Sequence, residues 1–177
     1  SQALSDLFKS LSVPHGIYNV IGDTDDFLEV SSFDKNSGVT TLRDEDIQIP
    51  NLKLNILGLK LASSRYGKQD LFKRWQLARD ESNFSIMVGH APDFVLDTAP
   101  DQADLYLAGH THGGQIRLPF WGALINHSRI PLEWSSGYIK TEGKNIHISA
   151  GIGAEHAYGL PSLRFNCPPE ITLIELY

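Results

Sequence analysis

Leu105-Tyr106-Leu107-Ala108-Gly109-His110-Thr111-His112-Gly113-Gly114-Gln115 is a short apolar run that breaks at a glycine into a histidine-rich turn. Apolar runs of this length, bounded by glycine, read as buried strands. The glycine lets the backbone turn sharply and approach a ligand. The same shape recurs as Ser85-Ile86-Met87-Val88-Gly89-His90 and as Ile17-Tyr18-Asn19-Val20-Ile21-Gly22-Asp23. Three strands therefore end in a glycine followed by a residue able to bind a metal. Between and around them, helical patterns are expected over 27–36 and over 68–83, the latter with Leu71, Phe72, Trp75 and Leu77-Ala78 as its apolar stripe. A helical turn is expected over 91–98, after Pro92. Segments 39–49 and 52–61 read as a hairpin about Pro50-Asn51, and 138–141 with 145–150 as another about Glu142-Gly143-Lys144. The alternation over 170–176 reads as a final strand. Strands interleaved with helices indicate an α/β domain.

A chain of 177 residues fits one domain, 1–177, with enough length to bury a sizeable core. Its formal net charge of −6 argues against a nucleic-acid footprint, which needs a basic face. Cys167 is the one cysteine, so no intramolecular disulfide can form. No run approaches the ~20 apolar residues of a membrane span, and Ser1-Gln2-Ala3 opens no signal peptide. Compartment stays open, because a leader or anchor can lie upstream.

The chemistry sits at the three strand ends. Neutral imidazole ligates zinc and other first-row metals. His110 and His112, two residues apart, can be turned toward one centre by their glycine-flanked loop, and on a strand they would share a face. The plain alternative is a polar turn with two exposed histidines. His90, in Gly89-His90-Ala91-Pro92-Asp93, occupies a second strand end, where open α/β sheets gather ligand groups. Asp23 occupies the third. Asp25 and Asp26 read equally well as acidic residues at a helix start.

Gly109 to Gln115, followed by Leu118-Pro119, resembles the terminal metal motif of the calcineurin-like metallophosphoesterase superfamily. Within it, the resemblance is to a bacterial branch whose members are often membrane-attached or exported. Residues 16–25 are similar to the segment where the family carries Gly-Asn-His-Asp, and 85–93 to its strand-Gly-His-X-Pro-Asp segment. Residues 148–170 are similar to its C-terminal signature, with Gly151-Ile152-Gly153, Leu160-Pro161, Arg164 and Pro168-Pro169-Glu170.

The resemblance implies a layered mixed-sheet α/β sandwich flanked by helices, and hydrolysis of a phosphomonoester or phosphodiester by a hydroxide held between two metal ions. It implies that His90 and His110 bind one metal and His112 the other, with Asp23 in place of a ligating Asn. All three histidines are then expected to converge. Zn, Mn, Fe or Ni would suit such ligands, up to two ions in a complete domain. Thr24 stands where the family has a catalytic histidine, and threonine is no acid near neutral pH. The family's opening segment, with Asp-X-His and Gly-Asp-X-X-Asp, has no counterpart in this sequence. The chain is accordingly expected to represent the C-terminal part of the domain and to hold metal weakly by itself. It is also expected to cover its open sheet edge by dimerising or by binding the missing segment.

The alternative function is a non-catalytic remnant of the same fold, acting as a metal-binding or interaction domain. The substrate implied is a small phosphoester, with lipid-linked esters among the candidates. Arg164 and His156 are candidate substrate contacts. For Arg164 the alternative is an ion pair with Glu170 or Asp93, and for His156, with Tyr158, an ordinary loop role. Trp75 is expected in the core, and Trp121 and Trp134 in a groove or in packing. Lys73-Arg74 reads as a solvated helix face. His15, His127 and His147 have no spacing that marks them out.

Overall fold

The computed structural model describes residues 2–25, 35–154 and 163–176. The helix expected over 27–36 lies largely outside these residues, and so do His156 and Tyr158. The strands of the principal sheet come mostly from the apolar runs. Six strands are hydrogen-bonded in the order β3-β4-β5-β6-β10-β9: β3 (Glu45–Ile49), β4 (Leu54–Gly58), β5 (Phe84–Val88), β6 (Leu105–Ala108), β10 (Lys144–Ile148) and β9 (Gly137–Thr141). β4, β5, β6 and β10 run parallel, and β3 and β9 are antiparallel edges. Both expected hairpins are therefore present. The 39–49 stretch, however, is two strands. β2 (Val39–Leu42) pairs in parallel with β1 (Ile17–Val20) in a second, two-stranded sheet. The break falls at Arg43-Asp44, where Asp44 has φ of 62° and the chain passes from one sheet to the other. The two sheets touch closely: a Cβ on Gly58 would lie 2.2 Å from Leu42 Cβ.

Two short helices follow β4. The 52–61 run ends as a strand at Gly58, and α2 (Leu61–Tyr66) starts beyond it. Asp44 holds the start of α2 by accepting from Lys60 N at 3.1 Å and Ser63 Oγ at 2.9 Å. α3 (Gln69–Ala78) is shorter than the expected 68–83, because the chain turns extended at Arg79. Leu71, Phe72 and Trp75 are buried, whereas Leu77 is 87% exposed. Leu77 does not belong to the stripe, since at about 100° per residue it lies roughly 140° round the helix from Phe72. Lys73 and Arg74 are solvated, as expected.

The core joins Phe72 and Trp75 of α3 to Leu57, Met87, Tyr106, Ile146 and Ile148 of the large sheet and to Phe94 and Val95. Those last two lie on a 3-10 turn, Pro92–Leu96, inside the helical turn expected over 91–98. Trp134 packs half-buried against this core. The architecture is the mixed-sheet α/β sandwich with flanking helices that the sequence resemblance implies.

Three features differ from expectation. An N-terminal helix, α1 (Gln2–Ser10), had not been foreseen, although Leu4, Leu7, Phe8 and Leu11 repeat at helical spacing. Residues 170–176 form no strand, and Ile171 and Leu173 are 88% and 86% exposed. Alternation favours a strand only where a neighbouring strand accepts its ladder bonds, and the tail has none among the described residues. Instead, Glu170 N donates to Gly151 O, and Thr172 Oγ1 lies 2.9 Å from His147 Nε2. Lastly, a small third sheet pairs β7 (Arg117–Leu118) with β8 (Gly122–Ala123). Among the described residues no helix is long and apolar enough to cross a membrane.

Candidate metal centre

The sheet carries its ladder one residue beyond the central strands. Gly89 N donates to Leu107 O, Gly109 N to His90 O and Ser149 N to Ala108 O, at 2.9–3.0 Å. His90 and His110 thus leave the sheet side by side at the carboxyl ends of β5 and β6. Asp23 reaches them from the turn after β1.

The three side chains converge. His110 Nδ1 stands 2.9 Å from Asp23 Oδ2 and 3.2 Å from His90 Nε2, and His90 Nε2 stands 3.5 Å from the same carboxylate oxygen. These are the three residues whose donor atoms could share one ion among the described residues. Tetrahedral bonds of about 2.0–2.2 Å would space neighbouring donors by about 3.3–3.6 Å. The 3.2 Å and 3.5 Å spacings match one small divalent cation, and the 2.9 Å pair, at hydrogen-bond distance, would have to open by about 0.4 Å to share it. The donor chemistry fits as well. His110 Nε2 lies between the His127 carbonyl at 3.1 Å and Arg65 Nη2 at 3.3 Å: the tautomer that donates to the carbonyl leaves the Nδ1 lone pair directed at Asp23 and His90, and the one that accepts from Arg65 has Nδ1 donating to Asp23.

Charge tuning acts in the same sense. Burial pushes His90 below the usual imidazole range, more strongly than the attraction of Asp23 raises it. It is therefore neutral at neutral pH, the form that ligates. Burial alone would raise the Asp23 carboxyl, but the hydrogen bond from Arg65 and the neighbouring His110, His90 and Arg65 charges hold it below the usual range.

Arg65 had not been singled out in the sequence. It projects from α2 so that Nη2 lies 2.5 Å and Nε 3.3 Å from the Asp23 carboxylate, with Nη2 also 3.3 Å from His110 Nε2. No local pattern marks it, because its partner lies 42 positions upstream.

His112 stands apart from the triad. Its Nδ1 faces the Gly153 carbonyl at 3.2 Å, which leaves Nε2 as the atom with a free lone pair once Nδ1 donates. The turn that carries it is strained: His110, His112 and Gln115 have φ of 68°, 49° and 55°. Non-glycine residues in this region cost of order 1 kcal/mol each and persist where packing enforces them. Here buried Thr111 enforces them, donating to Ser135 O at 2.6 Å and accepting from Gly113 N. Asp93 is a brace and no ligand: buried, it accepts from Ser128 Oγ at 2.8 Å and Arg129 N at 2.9 Å, pinning the loop whose His127 carbonyl faces His110.

Thr24 is exposed in the turn beside Asp23. Arg164 forms neither expected ion pair, since Asp93 is taken by Arg129 and Glu170 by His147. Its guanidinium donates to the carbonyls of Ala150 at 2.6 Å, Gly151 at 3.1 Å and Gly153, tying the last described segment to the loop behind His112. A cavity of about 180 Å³ opens beside His110 and His112, with Ile116, Leu124 and Ile125 in its walls.

No family model matches the chain, and no solved structure matches it significantly. Curated proteins do. The uncharacterised metallophosphoesterase YkuE of Bacillus subtilis is 40% identical over 95 residues, 52% of this chain and 31% of that protein. The phosphodiesterase YaeI of Escherichia coli is 30% identical over 147 residues, 80% of this chain and 49% of YaeI. YkoQ of Bacillus subtilis, an uncharacterised metallophosphoesterase, is 25% identical over 177 residues, 95% of this chain and 63% of YkoQ. This chain belongs to the calcineurin-like metallophosphoesterases. These relatives are named metallophosphoesterases or a phosphodiesterase. The chain aligns with roughly one to two thirds of their length.

Proposed function

We propose that this chain carries a phosphoesterase site in which Asp23, His90 and His110 hold one divalent ion and His112 offers a donor to a second. The observation that carries this reading is the convergence of Asp23 Oδ2, His90 Nε2 and His110 Nδ1 within 3.5 Å of one another. Zinc, manganese, iron and nickel all accept imidazole with carboxylate. A divalent ion bound there neutralises charge on the phosphoryl group and acidifies a water. Asp23, kept anionic, and His90, kept neutral, are in the protonation states that hold it. Arg65, half-buried beside them, presents a planar fork suited to a phosphoryl oxygen. Thr24 donates no proton to the leaving oxygen at neutral pH. The ester favoured is therefore one whose alcohol leaves readily as an anion. The apolar walls of the adjoining cavity suit an ester with an apolar group, lipid-linked esters included.

The test is hydrolysis of bis-nitrophenyl phosphate by protein supplied with Mn²⁺ or Zn²⁺. Metal-dependent turnover that His110→Ala abolishes is the expected result. Thr24→His is expected to raise turnover, and to raise it more for a diester with a poor leaving group, where a general acid is worth about 10²–10⁴. Turnover that survives both a chelator and His110→Ala removes the reading. The bond from Arg65 to Asp23 favours a second reading: a remnant in which the guanidinium takes the place of the metal. Protein that binds no divalent ion and stays inert as Thr24→His supports the remnant.

A further inference from the structure

The β7–β8 hairpin takes no part in the triad, yet it carries the most exposed aromatic surface described. At its turn Phe120 is fully exposed and Trp121 is 83% exposed. Leu118, Leu124 and Ile125 continue this apolar surface toward Ile116 on the rim of the cavity. Phe120 has φ of 68°, a conformation that glycine or asparagine adopts with little strain. Keeping a phenylalanine there costs backbone strain as well as the hydration of a whole ring, with no compensation inside the fold.

Charge separates this segment from the rest of the molecule. Between Asp104 and Glu133 the chain has no carboxylate side chain, although its net charge is −6. Its fully charged groups there are Arg117 and Arg129. Arg129 is balanced by Asp93 and Asp97. The described partners of Arg117 are neutral: the Gly113 carbonyl at 2.9 Å and the Ser136 hydroxyl at 3.3 Å. A narrow hairpin tip with a Phe-Trp pair, and at its base an arginine whose described partners are neutral, matches the interface of a bilayer that carries negative charge. Tryptophan settles at headgroup depth, apolar side chains enter just below it, and basic residues gain from anionic lipid.

We propose that the β7–β8 hairpin docks this chain onto an anionic membrane surface, with Phe120 and Trp121 entering the interfacial layer. This surface stands independently of hydrolysis. Docking there would bring the cavity beside His110 and His112 close to the bilayer.

The test uses metal-free protein with vesicles of phosphatidylcholine containing a quarter phosphatidylglycerol, and with vesicles of phosphatidylcholine alone. Trp75 is buried and Trp134 half-buried, so Trp121 should dominate any change in fluorescence. The protein is expected to float with the anionic vesicles, to shift its emission to the blue, and to be quenched by brominated acyl chains. Binding should weaken in 0.5 M salt and fall roughly tenfold or more when Phe120→Ser and Trp121→Ser are combined, because a single weak anchor gives only marginal attachment. The melting temperature and any bis-nitrophenyl phosphate turnover should stay at the parent values. Absence of flotation and of brominated-lipid quenching overturns the proposal, whatever the doubly substituted protein does. Equal binding to both vesicle types also overturns it. So does a dimer in sedimentation that the double substitution dissolves, which would assign the hairpin to a second copy of the chain.

Discussion

Gly22 and Gly109 each precede a residue of the triad, yet the structure gives them opposite tolerances. A Cβ on Gly22 would lie 2.8 Å from both Nδ1 and Cε1 of His90. To restore an ordinary contact of about 3.5 Å, the ring must retreat by about 0.7 Å. His90 Nε2 would then leave its position beside His110 and Asp23. Disturbing the groups that orient a metal ligand typically costs about 10- to 100-fold in metal affinity, and crowding His90 from Gly22 is a disturbance of that kind. A Cβ on Gly109 meets nothing nearer than Ser149 O at 4.0 Å. Titration of each purified protein with Zn²⁺ against a competing chelating dye should show Gly22→Ala weakened by about 10- to 100-fold, and Gly109→Ala within about twofold of the parent. A histidine-detected NMR spectrum should show the His90 signals displaced in Gly22→Ala alone. Equal affinities for Gly22→Ala and the parent, with unmoved His90 signals, would refute the reasoning, as would equal weakening by both substitutions.

Arg65→Ala should tighten divalent-metal binding severalfold, because a cation bonded to Asp23 at 2.5 Å competes with the metal for that carboxylate, while turnover of a phosphodiester falls. Calorimetry paired with kinetics checks it, and weakened binding would show that Arg65 supports the site instead. Arg164→Ala should destabilise the fold by roughly 2–3 kcal/mol in urea unfolding, since it leaves the carbonyls of Ala150, Gly151 and Gly153 without their charged donor. A loss below about 0.5 kcal/mol would contradict the clamp. Metal-free protein should lose stability as pH falls below 6.5, the ordinary value of His90. The folded imidazole is pushed below that value, so the unfolded chain binds the extra proton first, and the loss continues until pH reaches the folded value. Asp23, held low, adds a second loss as pH falls from 3.8 through its folded value. Unfolding in urea at pH 5, 6 and 7 with a chelator checks the first window. An equal slope in His90→Gln would contradict it.

The strand-and-glycine units at Gly22, Gly89 and Gly109 were legible from local pattern, because a buried strand announces itself by its apolar run and a ligand turn by its glycine. The same periodicity placed Trp75 and Phe72 in the core and put Asp23, His90 and His110 at three strand ends. Periodicity reports which side of an element is apolar, and it carries no information about what stands opposite. It therefore missed the passage between sheets at Asp44, which depends on what β2 and β3 pair with. It assigned a strand to residues 170–176, where the described structure supplies no partner for the ladder. It placed Leu77 on the buried stripe, though the direction in which α3 faces the sheet leaves that residue in water. Arg65 and the His127 carbonyl were invisible for the same reason, since each meets the site only after segments distant in sequence are packed together. Tertiary structure also separated glycines that look alike along the chain: Gly22 is crowded by His90, Gly89 by Phe94 and Ser64, and Gly109 has room. The identity of the donor atoms belongs to the sequence, while their spacing and charge state come from packing, because distance and desolvation are set by neighbours that no local segment contains.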